Sequence, residues 1–196
     1  MLQVHMRHII IYIPGLGDAT MFGQHAAHYL WRLQGASVQS HPMSWADSEP
    51  FQPKLKRLLA HIDRLVAQGD SVSLVAVSAG ATAALNAFAQ RQEAIHKVVL
   101  VCGAIQHPEE VGEDTKRDNP SFWESMQYLH THSLAQLTAQ GKQKIVSYIP
   151  RSDQTVNPKN MRIEGISYEA LPTHGHVKSI AYAITVGAHR IIRSTY

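Results

Sequence analysis

Ser78 is the residue of this chain best placed to act as a nucleophile. It lies in Val72 to Gly80, VSLVAVSAG, where an apolar run breaks into a serine hemmed in by small residues and then into an alanine-rich, helix-prone stretch. A strand that turns sharply into a helix holds its turn residue in a strained conformation, with the side chain clear of the sheet edge. Ala76 and Gly80 leave room for that turn, although the full Gly-x-Ser-x-Gly pattern has glycine where this chain has Ala76. The competing role for Ser78 is a helix N-cap. A serine hydroxyl is a weak nucleophile unless a base takes its proton and a third group orients that base. Candidates for both lie downstream. The strand-like IVSYI runs into PRSDQTVNP, which places Asp153 in a polar turn beyond the strand's carboxyl end. Ser167 to Leu171 runs into PTHGHVKSI, which places His174 and His176 at the entry to the last helix.

Attack on a carbonyl puts negative charge on oxygen, so hydrogen-bond donors must already be waiting there. HIIIYIPGLGD, His8 to Asp18, supplies a buried strand followed by a glycine turn whose N–H groups are free of side-chain obstruction. The two expected donors are the N–H groups of Leu16 and of Ala79, the latter at the positive end of the helix that follows the serine. Read structurally, PGLGD is an ordinary glycine turn capped by Asp18. A phosphate loop is disfavoured, since no Gly-Lys-Ser/Thr follows and the glycines miss the dinucleotide spacing.

With PGLGD after the first strand, VAVSAG at the elbow, SDQTV after the penultimate strand and THGHV before the last helix, the chain resembles the α/β-hydrolase fold family, specifically its small single-domain bacterial members. The order Ser, Asp, His is the one that family uses. The resemblance implies Ser78 as nucleophile, Asp153 as acid and His176 as base. His176 is preferred to His174 because it follows Gly175 in the family's Gly-His arrangement. Asp114 and Asp118, after the fourth strand, are the alternative acids, since some members carry the acid there. The first two antiparallel strands of the full family fold are missing from the pattern.

The elements that must hold these groups read as an alternation of apolar runs and helical patterns, the signature of a parallel sheet with helices on both faces. Strands are predicted at 8–13, 36–41, 72–77, 97–102, 144–149 and 166–171, and helices at 19–34, 51–68, 79–91, 121–140 and 175–193. The expected architecture is α/β, a three-layer αβα sandwich around a mainly parallel sheet of about six strands. In the second helix Leu55, Leu58, Leu59, Ile62, Leu65 and Val66 form a one-sided stripe that packs on the sheet. Ser121 and Glu124 form a Ser-x-x-Glu capping box that starts the fourth helix after Pro120. Ligands of open α/β sheets bind beyond the strands' carboxyl ends, where all four motifs fall. The long charged segment 103–120 is a lid or a solvated loop, and Trp45 lines an acyl pocket or anchors its own loop.

At 196 residues the chain is expected to form one domain, residues 1–196, with a full core. With 44% hydrophobic and 17% charged residues it is neither disordered nor fibrous. Its 18 basic and 15 acidic residues form no dense cationic block, which argues against nucleic acid as a partner. MLQVHMRH lacks a signal-peptide core and no apolar stretch approaches the ~18 residues of a membrane span, so a soluble protein without membrane association is expected. The single cysteine, Cys102, fits a reducing cytoplasm and reads as a packed core thiol at the end of VVLVC. Thirteen histidines include the pairs His5/His8, His25/His28 and His130/His132, but no His-Glu-x-x-His or cysteine pair accompanies them, so no metal and no cofactor is expected. The resulting expectation is a serine hydrolase acting on a small-molecule carboxylic ester or related acyl bond. A thioesterase, amidase or lactonase would use the same three residues, and a non-catalytic binding protein could keep the same fold.

Overall fold

The computed structural model describes residues 6–18 and 22–196. His5 and the expected first helical residues 19–21 lie outside the described residues. Runs rich in isoleucine and valine form the inner strands of the sheet, because β-branched side chains suit a pleated surface and these can be buried on both faces. The strands are β1 (His8–Ile13), β2 (Ser37–Ser40), β3 (Ser71–Val77), β4 (Ile95–Val101), β5 (Ile145–Ser152) and β6 (Ser167–His174). They form one sheet in the order β2-β1-β3-β4-β5-β6, and every neighbouring pair is parallel.

Helices α1 (Phe22–Leu33), α2 (Phe51–Ala67), α3 (Gly80–Gln90), α4 (Glu113–Asp118), α5 (Pro120–Tyr128), α6 (Leu134–Gln136), α7 (Ala139–Lys142), α8 (His176–Ile184) and α9 (Ala188–Arg193) connect or follow the strands. One core packs Leu55, Leu58, Ile62, Leu85, Phe88 and Phe122 of α2, α3 and α5 against Ile9, Ile11, Leu74 and Leu100. The opposite core packs Trp31, Ala183 and Ile191 of α1, α8 and α9 against Ile10, Tyr12, Val75 and Val99. The alternation of Ile9 and Ile11 with Ile10 and Tyr12 is the two-residue period of a strand feeding two cores. From β1 the chain passes through α1 on one face, while from β3 it passes through α3 on the other. The carboxyl ends of these adjacent strands therefore flank the point where connections diverge, the place where a crevice opens in such sheets.

Three local expectations are corrected. The single helix predicted over 121–140 is instead α5, a π-helical turn at Leu129–Ser133, then α6 and α7. Leu137 is extended, and Thr138 caps α7 by accepting the Gly141 N–H, so the helix restarts rather than continues. The capping box does not form: α5 starts at Pro120, the Ser121 hydroxyl donates to the Trp45 carbonyl, and Glu124 accepts the Phe51 N–H at 2.7 Å. Both side chains thus tie α5 to α2 and its preceding loop instead of to their own helix. The last helix breaks between α8 and α9, where Thr185 leaves helical geometry just before Gly187.

Candidate active site

Ser78 follows β3 with φ of 51°, a left-handed conformation that a residue with a Cβ seldom adopts. Its backbone is fixed on both sides: the N–H donates to Val101 O at 3.0 Å, and the carbonyl accepts the Ala81 and Ala104 N–H groups. Two glycines permit the turn. A methyl group at Gly80 would lie 2.4 Å from Ile13 O and 2.7 Å from Pro14 O, and one at Gly15 would lie 2.8 Å from Ser78 Cβ. The loop after β1 therefore rests directly on the elbow. Ala76, at the position where glycine was looked for, is fully buried within β3, so its methyl is part of the core.

His176 is the first residue of α8, set by Gly175 at φ 83°, whose N–H donates to Ser152 O at 2.8 Å. Its Nε2 lies 2.8 Å from Ser78 Oγ and its Nδ1 lies 2.6 Å from Asp153 Oδ2. The Asp153 side chain is wholly buried and the imidazole nearly so. The other carboxylate oxygen, Oδ1, accepts the N–H groups of Thr155 at 2.8 Å and Val156 at 2.9 Å, which anchors the acid to its own turn. A carboxylate accepts and does not donate, so the imidazole proton sits on Nδ1 and the Nε2 lone pair faces the hydroxyl.

The structure leaves the alternative residues elsewhere. Asp114 and Asp118 are exposed on α4 and pair with Arg117, while His174 is exposed with Nδ1 bonded to Ser152 Oγ at 2.8 Å. Leu16 and Ala79 both line the same cavity as Ser78, and their backbone N–H groups have no acceptor among the described residues. Asp18 reaches beyond its own turn. Its buried carboxylate accepts the Met43 and Ser44 N–H groups at 2.7 and 2.6 Å, pinning the loop after β1 to the loop after β2. Cys102, at the end of β4, is buried, and burial together with the Asp153 charge raises its thiol to about 12, so it stays protonated and inert.

Trp45 is a correction. It is fully buried and does not line the cavity; its indole N–H donates to Pro14 O at 3.3 Å and its ring meets Phe122 edge-on. A large aromatic ring gains more from the core between α5 and the β1 loop than from the cleft, so it supports the site from beneath.

Beside Ser78 lies a cavity of about 170 Å³. Ala104, Val111, Phe122 and Met126 contribute apolar lining, and Gln106, His107, Glu110, Thr115, Thr155, Asn157 and Asn160 contribute polar lining. The segment 103–120 holds a 3-10 turn at Pro108–Glu110 and helix α4, both without buried residues, while Ile105 is buried. Buried Asn160 fastens it, accepting the Gln106 N–H on its carbonyl at 2.9 Å and donating from Nδ2 to Glu110 Oε2 at 2.6 Å. Sequence reasoning missed Glu110 and Asn160. Glu110 sits in a run of charges that reads as solvated surface, and an asparagine in a loop carries no periodic signal.

Solved structures share this arrangement of elements. A metagenome-derived lipolytic enzyme, from a study of LipS and LipT, matches with TM-score 0.68 and 13% identity over 96% of this chain and 91% of that one. The chain has the α/β-hydrolase fold. Est1E from Butyrivibrio proteoclasticus matches with TM-score 0.66 and 12% identity over 96% of this chain and 89% of its own. The monoacylglycerol lipase of Paleococcus ferrophilus matches with TM-score 0.63 and 12% identity over 95% and 94%. No family model matches the chain, and no curated protein matches it in sequence. Among the described residues this α/β-hydrolase sheet is parallel throughout, without the two antiparallel strands of the fuller pattern. No helix among them is long and apolar enough to cross a membrane.

Proposed function

We propose that this protein is a serine hydrolase that cleaves a carboxylic ester or related acyl bond of a small molecule. The observation that carries the reading is the chain of contacts from Ser78 Oγ through His176 to the buried carboxylate of Asp153, at 2.8 and 2.6 Å. The esterases and lipases that share the fold lend it support.

In this reading His176 Nε2 takes the hydroxyl proton as Ser78 Oγ bonds to the acyl carbon. Asp153 keeps the imidazole in the tautomer that can accept it and stabilises the resulting positive charge. The negative oxygen of the tetrahedral intermediate receives hydrogen bonds from the N–H groups of Leu16 and Ala79, at the amino end of α3. Collapse expels the alcohol, which takes the proton from Nε2, and leaves Ser78 acylated. Water then attacks with His176 as base, releasing the acid and restoring the hydroxyl. The small cavity favours short acyl groups. The lone cysteine, buried and unpaired, suits a cytoplasmic setting.

Ser78→Ala tests the assignment. It should abolish hydrolysis of a short p-nitrophenyl ester and labelling by a fluorophosphonate while leaving the circular dichroism spectrum intact. Undiminished turnover in the variant would refute it, and failure of the unaltered protein to label would favour a non-catalytic binding protein. Thioesters, amides and lactones demand the same groups, and competition against labelling separates them.

A further inference from the structure

We infer that the cavity beside Ser78 selects substrates bearing a positively charged ammonium group, with Glu110 as the residue that sets this preference; the inference rests on the hydrolase reading. The cavity walls are unequal in charge. No lysine or arginine lines it among the described residues, and apart from His107 and Glu110 the polar side chains that do are amides and hydroxyls. His107 Nδ1 is bonded to Glu109 at 2.7 Å, so a proton taken up there is matched by a carboxylate already at hand. The Glu110 charge also acts on that imidazole, but through space and without a direct bond. Glu110 Oε2 accepts from the neutral amide of Asn160 at 2.6 Å, and no cation pairs with it among the described residues. Asn160 is itself buried, so the carboxylate is held in place at the wall rather than sweeping through solvent.

The apolar part of the lining suits the same ligand. Phe122 and Met126 are buried side chains that reach the cavity surface. An alkylated ammonium places methyl groups against such a wall, and an aromatic face adds attraction for the charge. An anionic substrate would meet a fixed negative charge that no cation bonds directly. Glu110 is open to solvent, so the preference is modest and depends on salt.

Isosteric ester pairs test this. Choline butyrate and 3,3-dimethylbutyl butyrate differ in one atom, a charged nitrogen replacing a carbon in the leaving group. Ethyl 4-(trimethylammonio)butanoate and ethyl 5,5-dimethylhexanoate place the same change in the acyl group. Hydrolysis is followed by proton release, and each kcat/KM is divided by the rate of hydroxide-catalysed hydrolysis of that ester. In at least one pair the charged ester should be preferred about three- to fivefold at low salt, less so with added salt. Glu110→Gln keeps an acceptor for Asn160 and should bring that ratio to about one. A ratio of one or below in both pairs, or a preference that persists in Glu110→Gln, overturns the inference while hydrolysis of the neutral esters leaves the hydrolase reading standing. Absence of turnover with all four esters, together with no fluorophosphonate labelling, overturns both.

Discussion

Replacing Asp153 by Asn probes the proposed catalysis more sharply than deleting the nucleophile, because the surroundings dictate how the new amide must sit. Oδ1 of Asp153 accepts two backbone N–H groups, from Thr155 and Val156, and Oδ2 faces His176 Nδ1. An amide has one oxygen and one NH2. Turning the NH2 toward Thr155 and Val156 would oppose donors to donors at two bonds, whereas turning it toward His176 sacrifices one. The oxygen therefore keeps the backbone pair and the NH2 faces Nδ1, which must then accept. That forces the imidazole proton onto Nε2, against Ser78 Oγ, where the ring can no longer take the hydroxyl proton. A wrong tautomer of this kind costs about 10³- to 10⁴-fold in kcat, or about 4 to 5.5 kcal/mol of transition-state stabilisation. The assay is steady-state hydrolysis of p-nitrophenyl butyrate, with unfolding monitored separately to exclude a folding defect. A folded variant that loses less than tenfold would refute the role given to Asp153.

Three further outcomes follow from the same geometry. Gly80→Ala drives a methyl group to 2.4 Å from Ile13 O, which is backbone and cannot turn aside, so the fold should lose about 3 kcal/mol and melt about 6 to 12 °C lower by calorimetry. Asp18→Ala leaves the Met43 and Ser44 N–H groups without their acceptor and should cost about 3 kcal/mol in urea unfolding; it should also lower kcat, because the Leu16 donor rides on the released loop. His28 and His41 are both lowered to about 4, chiefly by burial. From about pH 6.5 down to 4 the unfolded chain takes up protons that the fold refuses, so stability falls with pH by about 1–3 kcal/mol for each group. Urea midpoints at pH 7.5 and 4.5 check this, and equal midpoints would contradict it.

The strands were legible because their cause is local: HIIIYI, VSLVAV and IHKVVLV carry β-branched residues on both faces, which only a covered parallel sheet accommodates. Residues at strand ends inherit that legibility. Ser78, Asp153 and His176 were singled out by their places just past β3, β5 and β6, and the fold brings them within hydrogen-bond distance. What escaped were roles decided by distant partners. Ser121 and Glu124 have the spacing of a cap, but Trp45 and Phe51 offer them better partners from 76 and 73 residues away. Trp45 was placed at the pocket by its loop, yet burial against Phe122 claims it. The grip of Asn160 on Glu110 depends equally on a partner 50 residues away that no window of sequence contains.

Asp153 and Asn160 stand in one stretch between β5 and β6, the first bonded to the imidazole and the second to Glu110 at the cavity wall. Displacing that stretch would therefore disturb the partner of the His176 imidazole and the wall of the cavity together.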